Sequence, residues 1–168
     1  AALSARARQH EMQSLTLARV GEALVRKPQT VYGATDIVSV VRVFTAQRTD
    51  HVLVRDLQSD PPRLGIFTTT GLQRAILHGT PLHELPVREL ATFKLVTSQP
   101  GDYLFDALAT MIRHKVRRVL VTEPDPAGGE DHILGTLDQL DVLSFLSNHS
   151  YLVTRQILEA EDLAALEP

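Results

Sequence analysis

Two stretches decide how the chain is read: Gly65-Ile66-Phe67-Thr68-Thr69-Thr70-Gly71-Leu72 and Gly135-Thr136-Leu137-Asp138-Gln139-Leu140-Asp141-Val142. Each follows an apolar run and leads into a helical pattern, Leu72 to Leu77 in the first case and Val142 to Leu146 in the second. A strand ending in a glycine-led turn, whose hydroxyl or carboxylate caps the next helix, has this form. The unpaired N–H groups of a helix N-terminus also favour anions, so such a turn suits phosphate as well as capping.

Working outward, the two stretches prove to be parts of a longer repeat, the feature that fixes an architecture before any single element does. Sliding the chain on itself by about seventy residues brings its halves into phase. Thr30-Val31-Tyr32 falls on Thr97-Ser98-Gln99, Val40 to Phe44 on Ala107 to Met111, His51 to Val54 on Arg118 to Val121, and Gly65 on Gly135. The second copy needs only a longer hairpin, Glu123 to Asp131. Each half reads short strand, amphipathic helix, apolar strand, turn, apolar strand, helix, a mixed α+β pattern.

In the first half, Thr30 to Tyr32 is a short strand and Thr35 or Asp36 caps a helix to about Gln47, with Ile37, Val40, Val41 and Phe44 on its buried face. His51 to Arg55 and Arg63 to Phe67 make a hairpin around Asp60-Pro61-Pro62, and Leu72 to His78 is the following helix. Val87 to Leu90 is a short helix entering the second half. There Phe93 to Thr97 is the first strand, and Leu104, Leu108, Met111 and Ile112 mark a helix from Asp102 to His114. Arg118 to Thr122 and His132 to Leu137 form the second hairpin. Ser4 to Arg26 reads as one long helix, with Leu17, Val20, Gly21, Leu24 and Val25 in a stripe, closed by Pro28. It serves either as a linker or as a helix packed on the repeats. A last helix runs from Tyr151 to about Leu166. The expected divisions are 1–27, 28–91, 92–149 and 150–168, two repeats between two linker helices.

Composition narrows the function. The chain has 168 residues with 17 basic and 20 acidic side chains, a net charge of −3, which argues against nucleic acid held by bulk charge. It has no cysteine, hence no disulfide or thiolate metal site, in keeping with a cytoplasmic location. No apolar run approaches the roughly 18–20 residues of a membrane span, and no signal segment opens the chain. Starting at Ala1-Ala2-Leu3, without methionine, it reads as a piece of a larger protein.

No catalytic constellation emerges. The seven histidines are dispersed without metal-ligand spacing. Ser4, Ser14 and Ser39 lack the context of a nucleophile elbow, and no Gly-x-x-x-x-Gly-Lys loop is present. Glu159, Glu161 and Asp162 read as a solvated helix end. The one basic cluster, His114-Lys115-Val116-Arg117-Arg118, is short and lacks interleaved aromatics.

The repeat, its element order and its Gly-hydrophobic-x-Thr/Ser-x-x-Asp turn resemble the cystathionine-beta-synthase (CBS) domain, and the tandem resembles the Bateman module. The resemblance covers about Lys27 to Asn148 and implies two repeats packed about a pseudo-two-fold axis, with an adenosine-type ligand (AMP, ADP, ATP or adenosine itself) in a cleft between the paired domains. In that family the last aspartate of the turn accepts from the ribose hydroxyls and the Thr/Ser bonds a phosphate. Carried over by position, one site uses Thr30, Tyr32, His51, Ile66 and Thr68, and the other Val96, Thr97, Arg118, Thr136, Asp138 and Asp141. Both depart from the pattern: Gly71 stands where the first site needs its aspartate, and Asp138 where the second needs its hydroxyl. Each missing charge-assisted hydrogen bond costs roughly 1.5–3 kcal/mol. For Thr68 and Asp138 helix capping is an equal alternative, as is a first-turn acid for Asp141.

The resemblance further implies a homodimer, control of adjacent domains of the same chain, no metal and no covalent cofactor. It also suggests a signalling parent with cyclic-nucleotide-binding-like and nucleotidyltransferase-like domains. A ligand-free structural dimerisation module is the competing expectation.

Overall fold

The apolar spacing at Ile37, Val40 and Phe44 does become a helix. In a computed structural model, which describes residues 17–23 and 26–148, helix α1 spans Ile37–Gln47 and buries those three side chains. Asp36 is the cap: its Oδ2 accepts the Ser39 N–H at 3.0 Å and its Oδ1 accepts the Ser39 hydroxyl at 2.7 Å. Arg48 ends the helix in the left-handed region (φ 50°), and its N–H closes on the Phe44 carbonyl.

Strand β1 (Thr30–Tyr32) lies parallel to β2 (His51–Asp56), and β2 pairs antiparallel with β3 (Arg63–Thr68). Helix α2 (Thr69–Leu77) follows β3 without an intervening loop. The second half repeats this with β4 (Thr97–Ser98), α3 (Leu104–Arg113), β5 (Arg118–Glu123), β6 (His132–Asp138) and a helix α4 over 139–148. The sheets run β1-β2-β3 and β4-β5-β6. Their registers coincide up to Val54 and Val121: Thr30 and Thr97 face Leu53 and Leu120, Gly65 and Gly135 face Val54 and Val121, and His51 and Arg118 face Thr68 and Asp138. A bulge after Val121 shifts only the second hairpin, where Thr122 faces Ile133. The alignment read from the sequence is thus the alignment of the two folds. The central strands are near-continuous buried runs, as strands covered on both faces must be.

The chain forms two units. One is Lys27–Leu95, and the other joins the described residues of the N-terminal stretch to those from Val96 onward. In the first unit Phe44 and Phe67 stack with centroids 5.9 Å apart among Val40, Val52, Val54, Ala75, Leu85 and Val87. In the second, Leu104, Met111, Val119, Val121, Leu137 and Val142 enclose Val20.

That position of Val20 corrects the long N-terminal helix. Val20–Glu22 is a single 3-10 turn, and Ala23 is already extended (ψ 162°). The Val20 and Gly21 N–H groups donate to the Asp102 and Pro100 carbonyls, both at 2.9 Å, while Leu104 donates to Ala18 at 2.8 Å. Tertiary hydrogen bonds override the helical spacing here. Val87–Glu89 is the same turn in the first unit: Val87 and Arg88 donate to Thr35 and Gly33, and Ile37 to Leu85. The lead that precedes each repeat in the sequence is therefore an element of the other repeat's fold. Each lead then runs on beside a third strand. Arg26 exchanges backbone hydrogen bonds with Thr136 (2.6 and 3.1 Å), and Thr92 does so with Ile66 (2.8 and 2.9 Å). A Cβ on Gly65 would stand 2.8 Å from the Thr92 carbonyl and 2.7 Å from the Phe93 ring, so glycine is required for this approach.

Phe93 to Thr97 is not one strand. Phe93 takes the Arg63 guanidinium on its ring at 3.7 Å, and pairing begins only at Thr97. The helix expected at Tyr151 to Leu166 and the part of the N-terminal helix before residue 17 lie outside the described residues.

Candidate functional site

In the second repeat the candidate residues gather where β4 and β5 begin, β6 ends and α4 starts. The Val96 carbonyl accepts the Leu120 N–H at 2.9 Å, which starts the parallel ladder, and Thr97 follows it exposed. Arg118 opens β5 directly opposite Asp138, the last residue of β6. Its Nη2 lies 3.9 Å from Asp138 Oδ2, and both side chains are largely buried.

Asp138 and Asp141 form a reciprocal cap. The Asp141 N–H donates to Asp138 Oδ1 at 2.7 Å, and the Asp138 N–H donates to Asp141 Oδ2 at 3.2 Å. This is the capping-box arrangement with aspartate in both places, so the capping role of Asp138 is real. It leaves Oδ2 of Asp138 turned to Arg118, and it fixes the Asp141 carboxylate. The Asp141 side chain is only 10 % exposed, with Arg26 Nη2 3.9 Å from its Oδ1. Burial pushes the Asp141 carboxyl above the usual carboxylate value. The Asp138 charge adds to that push, while the Asp138 N–H and Arg26 oppose it.

Thr136 behaves differently from the expectation. It is buried, and its hydroxyl donates to the Arg26 carbonyl at 3.4 Å, so the lead segment covers it.

In the first repeat the equivalent positions hold other chemistry. The Leu53 N–H donates to the Gln29 carbonyl at 2.9 Å, which makes Gln29, one residue before Thr30, the counterpart of Val96. Tyr32, at the end of β1, is 63 % exposed. His51 is buried, with its Nδ1 2.8 Å from Asp50 Oδ1, and faces Thr68 across the β2–β3 ladder. Thr68 precedes α2 as Asp138 precedes α4, yet its side chain makes no cap hydrogen bond. The capping alternative thus describes Asp138 and not Thr68. Ile66 is tied by its backbone to Thr92.

Gly71 occupies the Asp141 position, the third residue of its helix. A Cβ there would meet Phe67 Cε2 at 2.7 Å and Cδ2 at 2.9 Å. Its identity follows from packing.

Among the described residues no group of three or more His, Asp or Glu side chains is placed to hold a metal ion, and no helix is long and apolar enough to cross a membrane. What the second repeat offers is a fixed acceptor carboxylate, Asp141, with the Arg26 guanidinium 3.9 Å away and the Arg118 guanidinium 3.9 Å from its capping partner Asp138. A carboxylate so placed accepts paired hydroxyls, and the guanidinium groups suit an anion.

Residues 87–148 match the family model of the CBS domain. No curated protein matches the chain. Among solved structures, the CBS domain of a membrane protein from Sphaerobacter thermophilus is similar at 18 % identity and a TM-score of 0.65, over 85 % of this chain and 96 % of that one. A CBS domain protein from Pyrobaculum aerophilum, solved with AMP, is similar at 22 % identity and a TM-score of 0.59, over 78 % and 99 %. A CBS domain pair solved with 5′-methylthioadenosine and S-adenosyl-L-methionine is similar at 16 % identity and a TM-score of 0.62, over 79 % and 98 %.

Proposed function

We propose that this chain, folded as a CBS-domain pair, is a regulatory module that senses an adenine nucleotide or nucleoside and biases an adjacent domain of a signalling protein. The observation that carries the reading is Asp141, a largely buried carboxylate locked by Asp138 at the head of α4. Vicinal ribose hydroxyls would donate to it, and the Arg118 and Arg26 guanidinium groups would attract an attached phosphate and repel a cationic substituent. Two proteins of the same fold, solved with AMP and with sulfur-containing adenosine derivatives, support an adenosine core.

The parent would be cytoplasmic, with cyclic-nucleotide-binding-like and nucleotidyltransferase-like domains, and the module would work as a homodimer. Exposed apolar side chains on the helices, Phe105 and Ile112 on α3 and Ile76 and Leu77 on α2, support self-association. A second reading, a dimerisation module without ligand, is favoured by the covered Thr136 and by Gly71.

Thermal-shift titration with adenosine, AMP, ADP and ATP separates the two. A ligand at a hundred times its Kd stabilises the folded state by about 2.7 kcal/mol, a shift of several degrees. Absence of any shift at millimolar ligand, in a chain that dimerises, leaves the structural reading.

A further inference from the structure

We infer that Phe67 is the residue that makes the two repeats unequal, by filling the space in which the first repeat would carry an acceptor at position 71. The inference rests on the ligand-sensing reading above and says which repeat does the sensing.

Phe67 and Leu137 hold the same register position, opposite Val52 and Val119 respectively. Phe44 and Met111 are likewise equivalent, since each accepts the N–H that closes its helix, from Thr49 and from Val116. The first repeat thus builds its core from a stacked aromatic pair with glycine at position 71, and the second from methionine and leucine with Asp141. The exchange is close to volume-conserving, large for small beneath and small for large above.

The coupling is steric and strong. Any Cβ at 71 lies within 3.0 Å of two Phe67 ring atoms. The ring is buried and stacked on Phe44, so it has no open space to turn into. With no carboxylate at 71, nothing at that position accepts a pair of ribose hydroxyls. Thr68 and His51 remain, but they lack the acceptor that Asp141 supplies to the second repeat. The chain therefore takes one ribose-bearing ligand, and takes it at the second repeat.

The test is a double-mutant cycle with two readouts, melting temperature and the number of adenosine molecules bound per chain by titration calorimetry. Gly71→Asp alone should lower the melting midpoint by roughly 5 °C. Adding Phe67→Leu should recover most of that loss, although Phe67→Leu alone lowers it. The wild type should bind one adenosine per chain and the folded double variant two. Additive stability effects would overturn the inference, as would a wild type that already binds two or a stable double variant that still binds one. A wild type that binds no adenosine refutes the sensing reading instead, and the stability cycle then decides whether Phe67 excludes position 71.

Discussion

Replacing Asp138 by threonine separates the two things this side chain does. As a cap, it accepts the Asp141 N–H at 2.7 Å; as a charge, it stands 3.9 Å from Arg118 and beside any phosphate attached to a ribose held by Asp141. Threonine keeps an oxygen for the cap, so the loss of stability should stay below about 1 kcal/mol. The charge disappears. Two unit charges 5 Å apart at an effective dielectric near 20 interact by roughly 3 kcal/mol, about two orders of magnitude in affinity. Asp138 is partly open to solvent and Arg118 balances some of its field, which reduces the expected gain to about tenfold. Asp138→Thr should thus tighten AMP about tenfold relative to adenosine, measured by titration calorimetry on both ligands, while Asp141→Ala weakens both. If the AMP-to-adenosine ratio moves less than about threefold in a folded variant, the phosphate does not approach Asp138, and the residue is a cap alone.

Three further outcomes are expected from packing and burial. Burial raises the Asp141 pKa above its ordinary 3.8, so the folded state takes the proton first as pH falls; wild type should gain stability relative to Asp141→Asn between neutral pH and about 4, read by urea unfolding across that range. Asp36 has the opposite sign, because the Ser39 hydroxyl and N–H hold its pKa below 3.8. Its contribution is full above that value and fades as pH falls further, and Asp36→Ala should cost about 1 kcal/mol at neutral pH in the same assay. Val20→Ala should cost about 2 kcal/mol, whereas Leu17→Ala, at an exposed side chain, should cost almost nothing; equal effects would place the lead segment outside the core.

The sheets were legible because their code is local and doubled. His51 to Val54 and Arg118 to Val121 are apolar runs before hairpins, and the same offset that relates Thr30 to Thr97 relates them. That offset also relates Val20-Gly21-Glu22 to Val87-Arg88-Glu89, a signal that helical spacing in Leu17, Val20 and Gly21 obscured. Only hydrogen bonds to Asp102 and Pro100 show that the turn wins. Phe93 misled for a related reason: an apolar residue before a strand reads as part of it, while its ring serves Gly65 and Arg63 of its own unit, 27–95. At the site, the departures at Gly71 and Asp138 could be read as letters, but not their causes. One is the bulk of Phe67, the other a cap closed with Asp141. Neither is encoded within the turn itself.

The bond between Arg26 and Thr136 joins residues separated by 110 positions, and it sets an order of events during synthesis. The ribosome releases 18–26 well ahead of their partners, since the strand they flank does not exist until 132–138 has emerged. The unit 27–95 is complete in sequence while its successor is still being made, so it can close early on short-range contacts. The lead segment must then wait, its Val20 uncovered, for β6. A fragment cut at the boundary between repeats would leave the second half without its own first element, and rejoining 18–26 to that half in a rearranged chain would supply it.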